Sequence, residues 1–180
     1  MQTTVNKKYY KYFLVLLFLI TLTVACDHGI EPKPVQPEPP GFGGTINFIG
    51  AWPDSVKRTH IVVFKDPLLT SSDFNIFNLK FVSNEIPFGT RTYEYSSRDS
   101  SVIPGTGVFE PGSYAYVAVA QQFTENLSLL RRDWFVAGVY YAGNDTIQPG
   151  TLVIPDSTFV QFINITCDFN NPPPQPPGGN

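Results

Sequence analysis

From residue 41 to residue 169, apolar and polar side chains alternate with period two, and Gly, Pro, Asn or Asp interrupts the alternation at short intervals. An extended chain sends successive side chains to opposite faces, so this pattern predicts half-buried strands. Strands are expected over residues 45–49, 60–65, 92–96, 113–121, 151–154 and 159–169. Residues 133–141, DWFVAGVYY, are apolar on both faces and predict a central strand. Over residues 72–82, SDFNIFNLKFV, Ser72 or Asp73 can cap a short helix presenting Phe74 and Phe77, before Leu79 and Phe81 resume strand alternation. Seven or eight strands separated by turns predict an all-β fold, an antiparallel β-sandwich. A block of this length is large enough for one domain with its own core.

The apolar pattern is continuous at one place, Phe13 to Ala25, behind a basic patch of Lys7, Lys8 and Lys11. Thirteen residues are too few to span a bilayer as a helix, and a short apolar run behind basic residues is the form of a cleaved signal peptide. Small residues Thr23, Val24 and Ala25 precede Cys26. Together these residues resemble the lipobox of bacterial lipoproteins. That resemblance implies a diacylglyceryl group on the Cys26 thiol, cleavage in front of it, and acyl chains such as palmitate holding the mature N-terminus in a membrane. Thr23 stands where lipoboxes usually carry leucine, and Leu22 lies one residue further back. Thr23 and Ala25 also suit an ordinary signal peptidase, which leaves a non-lipidated secreted form open. The other cysteine, Cys167, lies on an apolar strand face and reads as a small buried hydrophobe. A Cys26–Cys167 disulfide and a lipid on Cys26 exclude each other.

Beyond the signal, residues 1–25, composition divides the chain into three regions. Residues 26–40 hold the lipidated cysteine and then DHGIEPKPVQPEPP, a proline-rich linker; extended at about 3.1 Å per residue, it reaches about 40 Å. Residues 41–169 form the β-sandwich domain. Residues 170–180, NNPPPQPPGGN, are expected to be a disordered tail. Without its signal the chain has nine basic and fifteen acidic residues, a formal charge of −6. No basic stripe interleaves with aromatics, and Arg131-Arg132 reads as a solvated strand start, so nucleic acid is not an expected partner.

Residue chemistry points away from catalysis. The two histidines, His28 in the linker and His60 at an exposed strand start, have no nucleophile motif around them. Gly-x-Ser-x-Gly, His-Glu-x-x-His and zinc-spaced cysteines do not occur, so no catalytic residue, metal site or cofactor is expected. The acidic residues Asp54, Asp66, Asp99, Glu110 and Asp156 are scattered singly among turns. Two carboxylates facing one cleft, a hydrolase, form the weakest reading. The glycines at 41–44 and 105–107 do not join a strand to a helix, as a phosphate cradle requires.

Aromatic residues are the unusual resource: two Trp, nine Tyr and fifteen Phe. A flat exposed row of aromatics stacks on sugar rings, and Trp52, Tyr93 and Tyr95 are the candidate platform for a carbohydrate-binding accessory lipoprotein. Strand cores also concentrate aromatics. Asp54-Ser55-Val56, Asp145-Thr146-Ile147 and Asp156-Ser157-Thr158 resemble an O-glycosylation signal of exported bacterial proteins, which makes Ser55, Thr146 and Ser157 candidate acceptors.

Gly44-Thr45-Ile46, the turn Trp52-Pro53-Asp54, the apolar run 61–64 and Pro111-Gly112-Ser113-Tyr114 together resemble the carboxypeptidase regulatory-like, or transthyretin-like, β-sandwich. The resemblance implies a non-catalytic module in which the tyrosine of the turn packs near the sandwich end. On alternation, Tyr114 and Tyr116 share one face, with Ala115, Val117 and Val119 on the other. The combined expectation is a lipid-anchored bacterial envelope protein at the outer membrane or cell surface. It is not an enzyme, and its domain binds an envelope protein or glycan, or plays a structural part.

Overall fold

The structure, a computed structural model, describes residue 12 and residues 38–99, 109–143 and 147–179. The chain divides into two compact units, 1–36 and 37–180. Among the described residues every strand belongs to the second unit, and Cys26 lies outside the described residues.

The fold is all-β, with ten strands among the described residues. These are β1 (Gly41–Ile49), β2 (Arg58–Phe64), β3 (Leu79–Val82), β4 (Thr92–Ser96), β5 (Gly112–Tyr114), β6 (Tyr116–Gln122), β7 (Trp134–Val139), β8 (Leu152–Ile154), β9 (Phe159–Val160) and β10 (Ile165–Asp168). Eight form one curled sheet in the order β3-β2-β6-β7-β10-β1-β4, with β9 beside β1; β5 and β8 form a separate pair. Pairing is antiparallel except that β1 runs parallel to β10 and to β9, which makes the large sheet mixed. Among the described residues no helix is long and apolar enough to cross a membrane. The short helix expected behind a Ser72 or Asp73 cap is a single 3₁₀ turn, Ser71–Asp73, whose N-cap is Thr70 and which ends before Phe77.

The strand count exceeds the sequence expectation because two apparent strands break. At Ala115 the backbone N–H turns to Lys65 O, so β5 leaves the large sheet to pair with β8. This break corrects the placement of the tyrosines. Tyr114 enters the core with Val117 and Val119, whereas Tyr116 faces the opposite side with Ala118 and Ala120. The second break, between β9 and β10, passes through Phe162, which has φ +64° and is 81% exposed.

Beneath the curl, Phe42 meets Phe81, Tyr95 and Phe109 edge to face, at centroid distances of 5.7, 5.8 and 4.9 Å. Edge-to-face pairs add about 0.5–1.5 kcal/mol each beyond area burial. The glycines of β1 make this half of the fold possible. Gly41 and Gly43 lie under the Phe159 ring, and a Cβ on Gly44 would strike the Ile163 backbone. The other sheet face carries a second apolar cluster including Val62, Phe64, Tyr116, Trp134 and Val136. Both faces being covered, β2 and β6 are buried along nearly their whole length.

The C-terminal segment is a correction. Its described residues, 170–179, lie against the protein instead of forming a disordered tail. Pro176 is buried, and the Gln175 side chain bonds both backbone groups of Val136. Proline-rich composition signals disorder because it supplies little to bury, but specific hydrogen bonds order this stretch.

Candidate functional site

On the second face, β2 offers His60, Val62 and Phe64 at alternate positions, β6 offers Ala120, and β7 offers Trp134. Ala120 stands directly across from His60 in the β2–β6 register, and its small side chain leaves a hollow between larger neighbours. Two loops wall this hollow. Phe74 and Ile76 come from the segment before β3, and Leu127 and Leu129 from the segment between β6 and β7. The result is an open groove of about 150 Å³, its lining almost wholly apolar.

Polar side chains hold both loops in place. Asp73 Oδ2 accepts from the backbone N–H groups of Leu69 (2.9 Å) and Thr70 (2.7 Å). Asn78 is buried; its Oδ1 accepts from Asp66 N, and its Nδ2 donates to Asp73 O. These bonds close the loop and turn Phe74 inward while Phe77 is left 85% exposed. In the other loop, Arg58 donates to Thr124 O and Glu125 O, and Trp134 Nε1 donates to Ser128 O. With both ends pinned, Leu127 and Leu129 stand over the groove, 63% and 65% exposed.

His60 is corrected from exposed strand start to buried wall residue. Its Nδ1 bonds the Ser83 carbonyl at 2.9 Å and therefore carries the proton when the ring is neutral. Burial holds the His60 pKa below its ordinary value, against smaller opposing effects of the Ser83 carbonyl and Glu85. The groove therefore has an uncharged floor at neutral pH.

The chain matches no family model, no curated protein and no solved structure. Its groove therefore stands on geometry alone.

The candidate sugar platform does not form. Trp52 is half-buried between Phe48, Phe169 and Phe88, with Nε1 donating to Thr90 O at 2.9 Å. Tyr93 packs against the core, and Tyr95 is buried with its hydroxyl donating to Ile163 O at 2.6 Å. Burial drives the Tyr95 hydroxyl pKa far up, so it acts as a neutral donor. Alternation placed Tyr93 and Tyr95 on one face correctly, and that face is the covered one. Ser55 and Ser157 sit exposed at turns, while Thr146 lies outside the described residues.

Cys167 is a free thiol, fully buried, and desolvation raises its pKa. Arg131 is a second correction: it is buried, whereas Arg132 is exposed. Among the described residues, no three His, Cys, Asp or Glu side chains gather as a metal would require. The groove was missed in the sequence because Ile76, Leu127 and Leu129 lie in loops without strand period. Their signal is local: NIF at 75–77 and LSLL at 127–130 are apolar runs where turn residues are expected.

Proposed function

We propose that this chain is a lipid-anchored, non-catalytic binding protein of the bacterial envelope and that its groove takes an apolar group of a ligand. The groove between His60, Ala120 and Trp134 carries this reading. An open apolar groove of about 150 Å³ gains by exchanging its water for an apolar group, and it has room for about one aromatic ring. Exposed Ile76, Leu127 and Leu129 extend the apolar surface beyond it, so the remainder of a larger ligand finds contact at the rim. The sequence supports export and anchoring through the basic patch, the apolar run and the lipobox-like approach to Cys26.

N-phenyl-1-naphthylamine, an apolar dye that brightens out of water, tests the groove. Saturable binding is expected, with at least a tenfold loss in Leu127→Asp/Leu129→Asp. Both positions are exposed, so the fold tolerates the change. Ala120→Leu fills the floor and is expected to weaken dye binding in the same way. Dye binding unchanged in both variants would rule the groove out.

A further inference from the structure

The C-terminal segment occupies the second sheet face through chemistry more selective than packing. Val136 N–H donates to Gln175 Oε1 at 2.8 Å, and Gln175 Nε2 donates back to Val136 O at 2.9 Å. The single β7–β10 register pair is Thr166 with Val139, so at Val136 the glutamine amide takes the place of a neighbouring strand. The proline that follows it is also read: Arg131 Nη2 donates to Pro176 O at 2.9 Å, while within the segment Gln175 Nε2 also donates to Pro173 O and fixes the amide's orientation. Pro174 and Pro176 stand beside Tyr116 and Tyr141. Tyrosines against prolines, with donors aimed at the exposed carbonyls, are how proline-rich segments are recognised. The amide adds a requirement for glutamine, because glutamate has no donor and asparagine is one methylene shorter.

The pattern Pro-x-Gln-Pro occurs twice in the chain: Pro173-Pro174-Gln175-Pro176 and Pro34-Val35-Gln36-Pro37. The second copy of the pattern continues with Glu38, where the tail has Pro177. That difference matters at Arg131. Its guanidinium is buried, its Nε has no hydrogen-bond partner, and no carboxylate pairs with it among the described residues. A buried charge without a counter-charge is costly, so an acidic residue just beyond the carbonyl that Arg131 binds is favoured there. Within its own chain Glu38 pairs with Arg98 at 3.1 Å, both side chains well exposed, an arrangement that contributes little.

We infer that the surface around Val136 and Arg131 is a recognition site for Pro-x-Gln-Pro-Glu, and that its occupant in trans is the proline-rich segment of a second copy of this chain. The tail is a tethered competitor. A short tether gives it an effective concentration of about a millimolar, which holds the site closed until copies are crowded together.

A fluorescein-labelled peptide, KPVQPEPP, titrated into the full chain tests this. Gln175→Ala is expected to bind it at least tenfold tighter than the unchanged chain. Replacing Gln with Ala, or Glu with Gln, in the peptide is expected to lose at least tenfold. Gln175→Ala should also self-associate in sedimentation velocity, and adding Gln36→Ala should restore the monomer. In the unchanged chain, saturating peptide should move the Val136 amide resonance and the alanine peptide should not, a readout that does not depend on how the variant folds. An unmoved Val136 amide, or equal binding of the alanine peptide, would overturn the recognition site. Peptide binding without self-association would overturn the second copy as its occupant.

Discussion

At the residue scale, two positions translate local chemistry into stability. Gly44 lies where the Ile163 backbone crosses β1, with Ile163 C and N 2.6 and 2.9 Å from where a Cβ would stand. Main-chain atoms cannot swing aside as the end of a long side chain can. Gly44→Ala is therefore expected to cost about 1–3 kcal/mol, as overpacking does, read as a lowered urea midpoint at unchanged slope. His60 makes stability depend on pH. Its folded pKa lies below the ordinary 6.5, so between those two values the unfolded chain binds a proton that the folded chain does not. Stability is then complete above pH 6.5 and falls as the pH drops below it, levelling off once the folded pKa is passed. His60→Gln can still donate to Ser83 O and does not titrate. Urea midpoints at about pH 7.5 and about pH 5.0 should draw closer together in that variant than in the unchanged chain, and an equal drop in both would remove His60 as the cause.

At the scale of elements, the groove depends on loops that have no regular structure. The segment before β3 is held by Asp73, whose carboxylate takes the Leu69 and Thr70 amides, and those bonds lower its pKa. Asp73→Ala is expected to speed hydrogen exchange at Leu69 and Thr70 and to weaken dye binding, leaving exchange in β6 and β7 unchanged. Strands were legible where burial gave them a rhythm: residues 45–49, 92–96 and 133–141 all carry the period that a one-faced or two-faced core imposes. What lay beyond legibility has physical causes. A period of two assigns Tyr93 and Tyr95 to one face but is silent on what covers that face. Nothing in SYAYVAVAQ announces that Ala115 will turn to Lys65 O and divide the strand. The tail reads as disorder because one glutamine amide, one guanidinium and a few proline contacts hold it, none of which its composition announces.

At the scale of the whole molecule, attachment and recognition make separable demands. Cut before Cys26 as we propose, the chain carries a formal charge of −6, so anionic headgroups would repel it and the proposed anchoring would rest on acyl chains rather than on charge. Each buried methylene contributes about 0.8 kcal/mol, so two or more chains hold firmly, and this hydrophobic contribution does not depend on screening by salt. The chain expressed in a bacterial host is therefore expected to stay with the membranes through a wash in about 1 M salt, where charge attraction is screened within about 3 Å. Cys26→Ser should appear in the soluble fraction with its dye binding intact, because the groove is built from residues of the second unit. If Cys26→Ser still sediments with the membranes, adding Leu127→Asp/Leu129→Asp decides what holds it. Release on that addition would make the groove rim the membrane contact in place of the lipid, and the apolar ligand would then be the bilayer itself.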